Sequence, residues 1–289
     1  MDALSRPIFI VAPPQSGTTY LYYALERAPG IRTIDAEQRK LIDLAVELDP
    51  ALRDYDSNRR TADDAPAETV ERLRAQLLES LSKSDAEDPP TPADDRPPRL
   101  LDATPRHALR VPFLAAVFPD ASFVYVYRDP RHTLPGMLAA WESESFVTYP
   151  NLPGWQGPPW SMLLIPGWRE LADKPLAEIV GEQWLTTTRT LLDDLETLSP
   201  ERWCVVDFAA LSAYPARELA RLCEYLGVEY VDEVARGNPR GQLRTPDRET
   251  QQAGSEGLAA ILTRATGLAA RAHDLIAAPA SGRPRPLAE

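Results

Sequence analysis

The chain has 289 residues, 44% hydrophobic and 26% charged, enough apolar content for one large α/β domain. Its net charge of −12 argues against a nucleic-acid partner, yet allows a basic pocket inside an acidic shell. Two cysteines, Cys204 and Cys223, make neither a disulfide framework nor a zinc set, so no metal is expected and a reducing compartment is the simpler inference.

The first predicted strand is Ile8 to Ala12. Its apolar run is too short for a signal-peptide core or a membrane span, which implies a soluble, cytoplasmic protein with no membrane partner. The abundance of Ala, Arg and Pro points to a GC-rich bacterial source. A small-residue turn, Pro13-Pro14-Gln15-Ser16-Gly17, then feeds a helix from about Thr18 to Arg27. A strand over Ile31–Ile34 places Asp35 and Glu37 just past a carboxyl end, where open α/β sheets keep their chemistry. Apolar spacing predicts helices over residues 38–50 and 68–81.

Residues 83–99 are acidic and Pro-rich and read as a mobile surface loop. Leu100-Leu101-Asp102 reads as a strand and Arg106 to Phe118 as a helix. Ser122 to Tyr127 is a buried-type strand ending in Arg128-Asp129-Pro130-Arg131, with a helix from about Thr133 to Trp141. Residues 143–170 read as an irregular, aromatic-rich insertion, either an acceptor wall or loop anchors packed on the core. A helix over 176–197, a strand over Trp203–Phe208, a helix over Pro215–Leu226 and a last helix over Gly257–Ile276 complete a single domain of residues 1–277. Residues 278–289 read as a frayed tail. About five strands alternating with helices predict a doubly wound parallel sheet of the P-loop NTPase-like kind.

Strand, tight loop and helix N-terminus is a geometry that captures phosphate or sulfate, because backbone N–H groups converge there and the helix dipole adds positive potential. The same pattern also serves an ordinary βα turn. In Walker A register, Thr18 stands at the lysine position and Thr19 at the Ser/Thr position, so a kinase reading lacks its lysine.

Two motifs, Pro14-Gln15-Ser16-Gly17-Thr18-Thr19 after the first strand and Tyr125-Val126-Tyr127-Arg128-Asp129-Pro130-Arg131 after a later one, together resemble the sulfotransferases that use 3′-phosphoadenosine 5′-phosphosulfate (PAPS). Leu101-Asp102-Ala103-Thr104-Pro105 followed by Phe118-Pro119-Asp120-Ala121 is similar to the K-T-P … F-P-D-A segment of the bacterial and tyrosylprotein-type branch, and Val205 to Leu211 is similar to the family's R-Y-E-D-L strand. The likeness runs over roughly residues 7–246.

This resemblance implies sulfuryl transfer from PAPS to a hydroxyl of a small molecule or peptide, with adenosine 3′,5′-bisphosphate (PAP) as product. It implies that Gln15, Ser16, Gly17, Thr18 and Thr19 cradle the 5′-phosphosulfate, that Arg128 and position 136 meet the 3′-phosphate, and that Phe208 stacks on adenine. Read as residues alone, Phe208 is equally a core side chain, Arg128 a salt-bridge partner of Asp129, and the two threonines helix-capping groups.

The chain departs from the pattern at three places. Gln15 stands where the family has a cation at the leaving oxygen, Ala103 replaces the K-T-P lysine, and Gly136 replaces a serine that binds the 3′-phosphate. For the base, Glu37 is the first choice by resemblance, with Asp35 beside it and His107 as the second. Arg240 and Arg244 in the 236–248 segment are candidates to compensate the lost ligands. The alternatives are a degenerate or donor-independent member of the same fold and, with less support, a P-loop kinase. The oligomeric state stays open.

Overall fold

The computed structural model describes residue 4 and residues 6–33, 48–87, 99–235 and 255–277. Its central sheet has five strands in the order β2-β3-β1-β4-β7, all parallel: β1 Ile8–Val11, β2 Ile31–Thr33, β3 Arg99–Asp102, β4 Ser122–Tyr127 and β7 Trp203–Asp207. This is the predicted doubly wound, P-loop-like sheet.

Alternation along the strands sorts the core into two halves. Phe9 and Val11 of β1 and Phe123, Tyr125 and Tyr127 of β4 face one side. Ile8, Ile10 and Ala12, with Val124 and Val126, face the other. A strand buried on both faces reads as a continuous apolar run, which is what β1 and β4 show.

The first side is covered by α2 (Ala67–Glu87), α3 (Val111–Val117), α4 (Pro130–Glu142), α5 (Leu176–Leu195) and α9 (Ser255–Ala277). The second is covered by α1 (Thr18–Leu25), α6 (Phe208–Ala213), α7 (Pro215–Leu226) and the short α8 (Asp232–Ala235). None of the described helices is long and apolar enough to cross a membrane.

Several boundaries differ from the sequence expectation. α2 runs on to Glu87, into the stretch read as a loop, whose residues 88–98 lie outside the described set. The expected helix over 106–118 is two pieces, a 3₁₀ segment Pro105–Leu109 and α3, because Pro112 has no N–H to carry the ladder across Arg110. β3 begins at Arg99, whose buried guanidinium donates to the carbonyls of Arg6 (2.6 Å) and Leu226 and to Ser122 Oγ (3.1 Å), fixing three segments together. The expected helix at 38–50 falls mostly outside the described residues; Pro50–Arg53 is a 3₁₀ turn.

The stretch 143–170 contains an antiparallel pair, β5 Val147–Tyr149 and β6 Trp160–Ser161, and a 3₁₀ turn over Trp168–Leu171. Strands this short between prolines carry little periodicity. Buried Trp160 packs edge to face on Trp141 of α4, and half-buried Trp155 and buried Trp168 pack in the same way on Trp160 and on each other, at centroid separations of 4.9–6.1 Å. Gln183 of α5 clamps the pair to the core: its Oε1 accepts from Trp141 Nε1 (3.1 Å), and its Nε2 donates to the carbonyls of Ser161 (3.0 Å) and Leu163 (2.6 Å). These tryptophans anchor the insertion on the core.

Candidate nucleotide site

β1 and β4 lie side by side, but the chain leaves β1 toward β2 on one flank and leaves β4 toward β7 on the other. Such divergence opens a crevice at the carboxyl ends of the two strands. The loop 13–17 enters it from β1, and Arg128 enters it from β4.

Two left-handed residues shape the loop, Gln15 at φ 63° and Gly17 at φ 95°. Left-handed backbone in such a turn lets successive N–H groups converge on one point. Gly17 caps α1 with no side-chain hydrogen bond, and the first turn of the helix holds no acidic residue. Among the described residues, no acceptor takes the backbone N–H groups of Ser16, Gly17, Thr18 or Thr19, whereas Tyr20 N–H already returns to Gly17 O (3.1 Å). Ser16 is buried, Thr18 half-buried and Thr19 exposed. The donor set is therefore neutral, convergent and uncommitted, which suits the oxygens of a bound anion.

Arg128 closes the crevice. Its Nη1 donates to Gln15 O (2.8 Å), and its guanidinium carbon lies 4.7 Å from the centre of the Phe208 ring. Burial lowers its pKa from the ordinary arginine value, and no carboxylate raises it back. The expected competitor, Asp129, is taken: it caps α4 through Arg131 N (2.8 Å) and binds the Arg131 guanidinium through both oxygens (2.6–3.1 Å). Those contacts hold the Asp129 carboxyl below its usual range. Among the described residues, Arg128 is thus a half-buried cation with no carboxylate partner, beside a loop of open donors.

Phe208 does not end a strand; it opens α6 behind its cap Asp207, which accepts from Ala209 N (2.9 Å). Its ring lies against Gly17, so closely that a Cβ there would sit 2.0 Å from a ring carbon. With Gly17 on one side and Arg128 over the ring, Phe208 supports the loop. No observation supports the adenine stacking expected of it.

Gly136 lies in α4 beneath the Gln15 side chain. His107, the second choice of base, is fully buried. Its Nε2 lies 3.1 Å from Asp102 Oδ2, and its ring stands edge-on to Phe9. Thr104 donates to Asp102 from its N–H and its hydroxyl, both at 2.8 Å. Burial works to raise the Asp102 carboxyl, but His107 and the Thr104 donors overcome it and hold the group below its ordinary value. The pair ties the carboxyl end of β3 to the 3₁₀ segment that follows. Sequence reading missed this partnership, although an Asp at a strand end five residues before a His was there to be weighed.

Glu37, Asp35, Arg240 and Arg244 lie outside the described residues. The structure brings together Gln15, Ser16, Gly17, Thr18, Thr19, Arg128, Gly136 and Phe208 at one crevice.

A profile described as the sulfotransferase family matches residues 7–233. No curated protein sequence matches. Among solved structures, the chain resembles a sulfotransferase domain from the curacin biosynthetic pathway at 15% identity, covering 89% of this chain and 98% of that one with a TM-score of 0.51. It also resembles sulfotransferase STF1 from Mycobacterium tuberculosis H37Rv (14% identity, 90% and 78% coverage, TM-score 0.51). Sulfotransferase STF9 from Mycobacterium avium is similar in the same way (17% identity, 90% and 77% coverage, TM-score 0.51). These likenesses establish the fold.

Proposed function

Because the chain belongs to the sulfotransferase family, we propose that it moves a sulfuryl group from PAPS to a hydroxyl of a small molecule or peptide, releasing PAP. The observation that carries the donor assignment is Arg128, a half-buried guanidinium with no carboxylate partner among the described residues, beside four uncommitted backbone donors. A planar, always-charged group is the better grip for a dianionic phosphate.

When bound, the nucleotide supplies the activated sulfuryl group. The N–H groups of Ser16 to Thr19 and the threonine hydroxyls hold its phosphosulfate oxygens at the head of α1. Donors fixed before the reaction stabilise charge that develops there without having to reorganise. Arg128 holds the 3′-phosphate, and its bond to Gln15 O ties that grip to the loop. The acceptor's proton goes to Glu37, four residues after β2 in the sequence, with Asp35 two residues before it to orient the hydroxyl. The burial of His107 against Asp102 supports a positioning role for that residue.

The test is titration calorimetry with PAP in Mg²⁺-free buffer, beside ATP with Mg²⁺. PAP should bind and stabilise the fold by about 2.7 kcal/mol at a hundred times its Kd. Arg128→Ala should remove most of that gain. Equal thermal shifts in the wild type and Arg128→Ala sink the assignment, and preferential binding of ATP with Mg²⁺ returns the kinase reading. PAP binding without detectable transfer from PAPS identifies a degenerate member of the family.

A further inference from the structure

Two of the three departures from the family pattern touch each other. A Cβ placed on Gly136 would lie 3.6 Å from Gln15 Cβ, 3.8 Å from Cγ and 3.9 Å from Oε1. The Gln15 side chain therefore lies along α4 over the bare glycine, from its first carbon to its carboxamide. Its backbone is held on the other flank, where Arg128 Nη1 meets Gln15 O at 2.8 Å. Among the described residues the carboxamide makes no hydrogen bond, although it is half-buried. A carboxamide free to donate thus lies in contact distance of the Gly136 position, on the residue whose carbonyl accepts from Arg128.

We propose that the Gln15 carboxamide takes over from the side chain that Gly136 lacks: its Nε2 donates to the 3′-phosphate gripped by Arg128, and the residue does not serve the leaving oxygen. This rests on the nucleotide reading above. It makes Gln15 a specificity determinant for a 3′-phosphorylated donor. The carboxamide supplies the donor that the glycine lacks, at contact distance from the place where a side chain at 136 would begin.

The experiment compares PAP with 5′-AMP, which lacks the 3′-phosphate, by calorimetry. The variants are Gln15→Gly, which keeps the left-handed backbone free of strain, and Gln15→Asn, whose shorter arm also tolerates φ > 0 but stops short of the phosphate. Each should weaken PAP about tenfold, equivalent to about 1.4 kcal/mol, and leave 5′-AMP unchanged. Adding Gly136→Ser to Gln15→Gly should restore PAP affinity, because a Cβ fits there at ordinary contact distance and brings a hydroxyl to the same spot. Equal weakening of PAP and 5′-AMP, or no weakening of PAP, overturns the inference and leaves the nucleotide reading standing. No preference of the wild type for PAP over 5′-AMP overturns both.

Discussion

Gly17→Ala is the sharpest test of how the loop is built. Two costs are visible. The residue sits at φ 95°, where a side chain pays about 1–2 kcal/mol for left-handed backbone. The new methyl would also meet three ring carbons of Phe208 at 2.0, 2.4 and 2.9 Å. Phe208 is only 7% exposed and has Arg128 over its ring, so it has little room to retreat. Overpacking of this kind costs about 1–3 kcal/mol. Together they predict a loss of about 2–5 kcal/mol, measured by urea denaturation. A double-mutant cycle separates the costs: in a Phe208→Ala background the steric share should vanish and only the backbone share remain, a coupling of about 1–3 kcal/mol. PAP affinity should fall with the single mutant, because displacing the ring also displaces Arg128. A loss under 1 kcal/mol, or strict additivity with Phe208→Ala, refutes the packing described here.

Glu37→Gln should leave PAP affinity intact and cut single-turnover transfer by roughly a hundredfold; retained turnover moves the base elsewhere. Asp102 sits below its ordinary pKa when folded, so its contribution is complete above the unfolded value of about 3.9 and drains away as pH falls through the folded one. Asp102→Asn should therefore flatten the acid limb of a Tm–pH curve, and an unchanged limb assigns acid sensitivity to other carboxylates. Gln183→Leu strands the Trp141 N–H and the Ser161 carbonyl, at about 1–3 kcal/mol per group, while the Leu163 carbonyl keeps Trp160 Nε1, so a fall in stability of at least about 2 kcal/mol is expected in urea melts. A smaller loss means that the clamp is not what seats the insertion.

What the sequence could say followed from distance along the chain. The loop from Pro13 to Thr19 and the strand before it are local, so the strand, the tight turn and the helix that follows were legible from adjacent residues. The fate of Asp129 was not: Arg128 and Arg131 are both within reach in sequence, and only the start of α4 turns Arg131 back onto the carboxylate while β4 carries Arg128 into the crevice. That the Phe208 ring lies against Gly17 with Arg128 over it was not legible, because those residues are far from it in sequence. The partnership of Gln15 with Gly136 shows in the sequence only as two separate losses; the contact that joins them depends on how α4 packs beside the loop.

The seating of the insertion also decides what light can report about this protein. The sequence has six tryptophans, and Trp141, Trp155, Trp160 and Trp168 form the edge-to-face group behind β5 and β6. The other two are buried, Trp184 within α5 and Trp203 at the opposite end of β7 from Arg128. Indoles at these separations couple, so the near-ultraviolet circular dichroism spectrum belongs chiefly to that group. The ring beside Gly17 and Arg128 is that of Phe208 rather than a tryptophan, so nucleotide titrations are better read by calorimetry or a labelled ligand. The same spectrum becomes a clean readout of whether the insertion is docked, independent of what occupies the nucleotide crevice.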